Sequence, residues 1–205
     1  MLKEIFNTYE ILNKQIFIVN GFNNLTLIIK FNNNNFYHLV GFHKTNIGLF
    51  IPYYIKSQEK KYKYIKNNLD RFENILKNQI AEKDSLYFRI NYFSYILKLL
   101  GNENIKLYNL KIKVYGSLYK GDYGLYKKIG NLNCLLCLKE YKKINNYIFC
   151  IPQSWMVSIK PNNLIENKKC FVVYNIQTIS KDYEKNYINK NLLVSAFAYI
   201  FLLHR

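Results

Sequence analysis

Apolar side chains near the N-terminus recur at intervals of three and four residues, as on one face of a helix. They are Leu2, Ile5, Phe6, Tyr9, Leu12 and Ile16. This spacing predicts an amphipathic helix over residues 2–17. After a turn at Asn20-Gly21, residues 25–31 are almost entirely apolar or β-branched, which predicts a strand buried on both faces. Asn32 to Asn35 predict a polar loop, because a run of asparagines does not readily continue a strand.

Helical patterns follow Pro52. Residues 53–66 alternate basic and aromatic side chains, and an apolar stripe over residues 69–80 predicts a second helix. A third helix is predicted to begin at Asp84 or Ser85 and to end at Gly101. Its apolar side holds Leu86, Ile90, Phe93, Ile96, Leu97 and Leu100.

From residue 105 onward, short apolar runs separated by turn residues predict strands. The expected strands cover residues 105–107 continuing to 110–115, 123–129, 132–138, 147–151 and 170–179. Short turns at 119–122, 128–131 and 145–146 favour an antiparallel sheet. An apolar run over residues 192–203 predicts a closing helix. We therefore expect one α+β domain over residues 1–205, in which N-terminal helices precede an antiparallel β-sheet meander and residues 181–205 form a C-terminal helical extension.

The chain is strongly basic, with 30 lysine and arginine residues against 13 acidic ones and a net charge of +17. The excess of Lys, Asn, Ile and Tyr indicates an AT-rich coding sequence, so part of this charge is compositional. A positive field of this strength still favours a polyanion partner, and we expect RNA. No export signal and no apolar run of about 20 residues is present, so a cytoplasmic protein with no membrane partner is expected.

Four cysteines are expected to be reduced thiols. Cys134 and Cys137 could begin a zinc site with His38 and His43. However, residues three apart on a strand point to opposite faces, and the surrounding run of leucines is typical of a buried strand. We therefore expect no metal and no cofactor.

Lysines and tyrosines alternate after Pro52, a pattern that suits phosphate contact combined with base stacking. The candidate nucleic-acid-binding residues here are Lys56, Lys60, Lys61, Lys63, Tyr62 and Tyr64, with Tyr53 and Tyr54 just before them. The alternative is a solvated helix face with half-buried tyrosines.

Two of the three histidines stand within six positions of each other, in the segment from Phe36 to Lys44. On a strand, His38 and His43 would lie on opposite faces, and on a helix they would be displaced around the cylinder. If a site lies here, one histidine is therefore expected to be structural. The alternative is that both are packing residues held by hydrogen bonds. Gly41 permits a bend or a close approach of backbone.

Several enzyme classes find no support in the chain. It has no phosphate-binding glycine loop, no GxSxG, no HExxH and no acidic cluster spaced for a two-metal nuclease. Metal-independent RNA cleavage, by contrast, needs residue types that the chain does have. A base takes the proton of the ribose 2′-OH, an acid protonates the leaving 5′-oxygen, and cations stabilise the phosphorane. Histidine suits the first two roles, and lysine or arginine the third.

Three stretches resemble, in order, motifs of the phage-associated barnase–EndoU–colicin–RelE-like nuclease family, in particular its fourth subgroup. The first is Phe-Tyr-His-Leu-Val-Gly-Phe-His-Lys at 36–44, after a polar turn. The second is the helix beginning Phe-Arg-Ile-Asn-Tyr-Phe at 88–93. The third ends in Pro-Gln-Ser-Trp at 152–155. The match covers about residues 1–180 and implies an antiparallel sheet with leading helices and RNA as substrate, without metal.

By this resemblance, His38 or His43 is the acid/base residue, Lys44 and Arg89 bind the scissile phosphate, and Ser154 contacts it. Trp155 is an alternative base-stacking residue, because its bulk beside Ser154 leaves less room for a phosphate. The expected function is an endoribonuclease of a phage or mobile element, of toxin or defence type, with a cognate antitoxin or host protein as further partners. The alternatives are a catalytically silent nucleic-acid-binding protein on the same fold and a protein that binds and inhibits a host protein.

Overall fold

A computed structural model describes residues 1–21, 25–79, 85–101, 104–111, 121–160, 165 and 168–183. Within these ranges, the side chains of Lys44 and Ser85 lie outside the described part of the chain. Several predictions fall outside it as well. These are the strand at 112–115, half of the turn at 119–122 and the closing helix at 192–203.

The described residues form six α-helices, three short 3₁₀ helices and seven strands. The helices are α1 (Leu2–Asn13), α2 (Asn33–Val40), α3 (Gln58–Lys66), α4 (Leu69–Lys77), α5 (Ser85–Asn91) and α6 (Tyr95–Leu100). The strands are β1 (Gln15–Gly21), β2 (Leu25–Lys30), β3 (Lys106–Asn109), β4 (Tyr123–Ile129), β5 (Leu132–Ile144), β6 (Tyr147–Ser158) and β7 (Cys170–Ser180). The 3₁₀ helices are Phe42–Lys44, Asn46–Phe50 and Lys181–Tyr183.

The strands close into a barrel in the order β1-β2-β6-β5-β4-β3-β7, with β7 pairing back onto β1. All neighbouring pairs are antiparallel except β2 and β6, which are parallel. The predicted antiparallel meander after the N-terminal helices is therefore wrong, although the chain is α+β. The first two strands precede α2 to α6, and their pairing with β6 and β7 joins residues more than 100 positions apart. Turn signals report only local pairing.

The helix predicted over residues 2–17 ends at Asn13, and β1 begins at Gln15. Ile16 is spaced correctly for the helix face but belongs to the strand. The run Ile16-Phe17-Ile18-Val19 is rich in β-branched residues, a strand signal that competes with the helical spacing. The polar loop predicted from Asn32 is wrong as well, because Asn32 caps α2 and Asn33 to Asn35 form its first turn.

Other local predictions are confirmed. Strand β4 has the predicted bounds, and Gly101 ends α6. The turns before β5 and β6 each hold a residue in the left-handed region, Gly130 at φ +58° and Asn145 at φ +51°. The predicted third helix is interrupted, because turn residues at 92–94 separate α5 from α6.

Most of the core is one continuous apolar cluster that joins the helices to alternate residues of the strands. Phe17, Val19, Leu27 and Ile29 belong to it, whereas Ile16, Ile18 and Ile28 lie in a second, smaller cluster. Successive strand residues point to opposite faces, so β1 and β2 bury apolar side chains on both. This confirms the predicted two-sided burial of the segment 25–31.

Strand β6 continues through the point where the sequence predicts its end. Leu138 of β5 pairs with Pro152 and Cys137 pairs with Ser154, so Gln153 is an extra residue in a β-bulge. Proline cannot donate a ladder hydrogen bond, and a bulge is one of the few places where a sheet accepts it. The bulge places Ser154 directly after an irregularity in the sheet.

Cys134, Cys137 and Cys150 are buried, and Cys170 is exposed. Burial raises the pKa of each of the three buried thiols to about 12. Among the described residues, no group of three His, Cys, Asp or Glu side chains is placed to hold a metal ion. None of the described helices is long and apolar enough to cross a membrane.

We predict that one thiol per native chain, that of Cys170, reacts quickly with a disulfide reagent at pH 8. The thiolate is the reactive form, and the three buried groups stay protonated well above that pH. Absorbance of the released thiolate should show one fast equivalent in buffer and four in denaturant. Loss of the fast phase in Cys170→Ser would assign it, whereas two or more fast equivalents in the native protein would contradict the prediction.

Candidate functional site

Both histidines of the segment 36–44 are exposed, and their rings lie side by side with centroids 4.9 Å apart. The two side chains therefore do not point in different directions, contrary to the prediction. Neither histidine is a buried packing residue. His38 lies in the last turn of α2, and His43 lies in the 3₁₀ helix that follows. Neither a strand nor one continuous helix brings the rings together. The left-handed Gly41 separates the two elements.

Three residues, Asn32, Gly41 and Thr45, hold α2 and the turn that follows it. The side chain of Asn32 accepts a hydrogen bond of 3.1 Å from the backbone N–H of Asn34 and so begins α2. Gly41 ends the helix at φ +93° and ψ 15°, and its N–H donates to the carbonyl of His38 at 3.1 Å. A left-handed residue at this position favours glycine. The next turn is held by Thr45, whose hydroxyl donates to the carbonyl of Phe42 at 2.8 Å.

Gly41 is also the point where Arg89 packs against the histidine segment. A methyl group on Gly41 would lie 2.9 Å from Cδ and Nη1 of Arg89 and 2.9 Å from Cδ1 of Leu86. Both side chains are buried, with exposed fractions of 4% and 5%. The guanidinium therefore lies directly behind the turn that joins the two histidines.

The charge of Arg89 also acts on a residue of β5. The positive charge of Arg89 lowers the pKa of Cys137, although burial has the larger effect and raises it. Cys137 is paired with Ser154 across β5 and β6, and α2 and α5 both contact β6. The tertiary structure thus brings His38, His43, Arg89 and Ser154 onto neighbouring elements from three distant parts of the chain.

Arg89 is too deeply buried to touch a substrate phosphate in this conformation. Its charge acts through the protein interior, where screening by water is weak. Ser154 is partly exposed on β6. The side chain of Lys44 lies outside the described residues, so its predicted contact with phosphate stays a prediction.

Lys61 is linked to the histidine pair through Tyr37. Its Nζ lies over the ring of Tyr37, 5.3 Å from the centroid. The ring of Tyr37 contacts the ring of His38 edge-on, with centroids 6.1 Å apart. Tyr37 is buried, and this burial raises its pKa, so it acts as a neutral packing surface. Lys61 is therefore the predicted lysine that has a defined relation to the histidine pair.

The remaining lysines of residues 56–66 differ in their partners. Lys63 forms a salt bridge of 2.8 Å with Glu59 one turn earlier, which lowers the pKa of that carboxyl group. Lys66 pairs with Glu10 of α1. Lys56 and Lys60 are exposed, and no ion pair to a carboxylate of the described residues involves them.

The aromatic residues predicted to stack on bases are largely inaccessible. Trp155 is fully buried in the main cluster, Tyr62 is 5% exposed, and Tyr64 is partly buried against the same cluster. A buried ring offers no face to a base, so stacking on Trp155 or Tyr62 is contradicted by their position. Of the four tyrosines in residues 53–66, the exposed ones are instead Tyr53 and Tyr54, which precede α3. The sequence does contain a signal for this exposure. Isoleucines recur every fourth residue at 47, 51 and 55, as expected for core-facing positions, and Tyr53 and Tyr54 lie between them.

Two exposed imidazoles are suited to proton transfer, because one can accept a proton while the other donates one. The buried charge of Arg89 behind the turn has the sign that stabilises a transition state with extra negative charge.

Comparisons of the chain with protein-family models, curated protein sequences and solved structures found no match. The resemblance to the barnase–EndoU–colicin–RelE-like nucleases therefore stays a prediction that depends on the three motifs alone.

Proposed function

We propose that this protein is a metal-independent endoribonuclease in which His38 and His43 are the acid/base pair. The observation that carries the proposal is the exposed pair of imidazoles, 4.9 Å between centroids, beside Lys61 and in front of Arg89. The net charge of +17 supports RNA as the substrate class. By the motif resemblance, the proposal extends to a toxin or defence factor of a phage or mobile element.

The reaction is a transesterification within the RNA. One neutral imidazole accepts the proton of a ribose 2′-OH, and the 2′-oxygen forms a bond to the adjacent phosphorus. The bond from phosphorus to the 5′-oxygen breaks, and the second imidazole, protonated at the start, gives its proton to that oxygen, so that the two rings end with their protonation states exchanged. The products are a 2′,3′-cyclic phosphate and a 5′-hydroxyl, with no change in oxidation state.

The test is cleavage of end-labelled RNA by the purified protein in EDTA. We expect products with 2′,3′-cyclic phosphate ends, and no cleavage where the 2′-OH at the cut position is replaced by hydrogen. A His38→Ala/His43→Ala double variant, purified in parallel, controls for contaminating ribonuclease. Cleavage that stops on addition of EDTA, or that tolerates the 2′-deoxy substitution, would overturn the proposed mechanism.

A catalytically silent RNA-binding protein is the second candidate, and the exposed Lys56 and Lys60 favour it. Basic side chains without carboxylate partners are free to replace counterions on an RNA backbone. In that case RNA binding would weaken steeply with salt, no RNA would be cut under any condition, and substitution of the histidines would change nothing beyond local charge.

A further inference from the structure

Residues 49–54, which we call the aromatic turn, expose an unusual amount of apolar surface. The exposed fractions are 81% for Leu49, 40% for Phe50, 93% for Tyr53 and 69% for Tyr54. The rings of Tyr53 and Tyr54 contact each other edge-on, with centroids 6.0 Å apart. Aromatic side chains of this size are normally covered, so a group of them in solvent marks a binding surface.

The exposure follows from how the turn is anchored. Ile47 and Ile51 are buried, and Ile55 packs against the main cluster, so every fourth residue holds the segment down. Backbone hydrogen bonds from Ile55 N–H to the carbonyl of Pro52 at 2.9 Å, and from Lys56 N–H to the carbonyl of Tyr54 at 3.1 Å, keep the chain turned. The tyrosines therefore project from an ordered backbone rather than from a loose loop.

The aromatic turn borders the histidine site. A methyl group on Gly48, the residue before the turn, would lie 3.1 Å from the hydroxyl oxygen of Tyr37. The ring of Tyr37 in turn contacts the ring of His38, and the ammonium group of Lys61 lies over the ring of Tyr37. A strand of RNA held at the histidines can therefore extend over the turn.

Charge around the turn selects the kind of partner. Lys56, Lys60 and Lys61 follow it, and Glu59, the one acidic residue between positions 44 and 66, is paired with Lys63. An apolar peptide would gain little from this charge. Single-stranded RNA offers π-faces for the tyrosines and phosphates for the lysines, a combination typical of single-strand binding surfaces.

We propose that Tyr53 and Tyr54 form a stacking platform for unpaired bases of the RNA, and that Lys56 and Lys60 contact the phosphates between them. The inference depends on the proposed function in that the RNA is the substrate of the histidine site. In this proposal Tyr53 and Tyr54, rather than Trp155 and Tyr62, stack on the bases. The substrate class is then unpaired RNA.

The test measures Kd for a fluorescent single-stranded RNA in which every 2′-OH is methylated, so that it cannot be cleaved. Stacking of one base on an aromatic ring lowers Kd by roughly five- to 150-fold. We expect Tyr53→Ala/Tyr54→Ala to raise Kd at least tenfold and Tyr53→Phe/Tyr54→Phe to leave it within about twofold. The salt slope should not change, because no phosphate contact is removed.

Two controls separate stacking from loss of charge or of fold. Tyr174→Ala removes a tyrosine that is 63% exposed on β7, and it should leave Kd unchanged. Inorganic polyphosphate, which has charge but no bases, should bind the wild type and the Tyr53→Ala/Tyr54→Ala variant equally.

Binding and cleavage are read separately, so the two proposals can fail separately. Stacking-dependent binding without cleavage of natural RNA would uphold the platform and overturn the nuclease. Cleavage with unchanged Kd in the alanine double variant would overturn the platform alone. Capture of a protein by the aromatic turn, with RNA binding indifferent to the tyrosines, would also overturn it.

Discussion

Replacing His38 or His43 with alanine is expected to lower the rate of RNA cleavage by at least about 100-fold, the usual contribution of one general acid or base. Both rings are exposed, so the free energy of unfolding should change by no more than about 0.5 kcal/mol. The measurement is single-turnover cleavage of labelled RNA in EDTA, together with urea unfolding of each variant.

The double variant tests more directly whether the two histidines act together. If the rings act as one acid/base pair, the double variant should lose little more activity than the worse single variant, as happens for groups that work as a unit. His204→Ala changes the third histidine of the chain and serves as the control. Single variants that both keep more than half of the wild-type rate would remove the pair from the mechanism.

Gly41→Ala is expected to destabilise the protein by about 2–5 kcal/mol. An L-residue in the left-handed region costs roughly 1–2 kcal/mol, and forcing a methyl group against packed side chains costs roughly 1–3 kcal/mol more. The added carbon would lie 2.9 Å from Arg89 and Leu86, whose burial leaves them little room to withdraw. Urea unfolding at pH 7 measures the loss.

Gly130→Ala is the matched control, because Gly130 has φ +58° and no atom lies within 4 Å of an added methyl group. It should lose only the conformational part, about 1 kcal/mol. If both variants lost the same free energy of unfolding, Arg89 and Leu86 would be able to move away from the added methyl group without an energetic penalty. Gly41→Ala should also lower cleavage more than its stability loss explains, since Gly41 sets the separation of the two rings.

The sequence predicted much of the local structure. The bounds of β4, the turns at Gly130 and Asn145 and the end of α6 at Gly101 depend on residues within a few positions of one another. Where two local signals overlapped, the prediction was wrong, as at Ile16, which fits the spacing of α1 and the β-branched run of β1 equally well.

The candidate site was predicted in composition but not in geometry. His38, His43, Arg89 and Ser154 were each selected from the sequence, but the two histidines were expected to point apart. Periodicity describes one regular element, and the rings meet across a helix end, a left-handed glycine and a 3₁₀ turn. The exposure of the tyrosines was not predicted for a related reason. Tyr62 and Tyr53 are the same residue type in one basic segment, and only packing against the core separates them.

The sequence by itself therefore determined the charge, the turns at Gly130 and Asn145, the helix end at Gly101 and the residue types available for chemistry, because these depend on local sterics and on composition. Tertiary structure alone decided the closure of the barrel by β1 against β7, the parallel pairing of β2 with β6, and the position of Arg89 behind Gly41. These contacts join segments far apart in the chain. They form because one arrangement buries the apolar faces of all segments together, and no single segment contains that information.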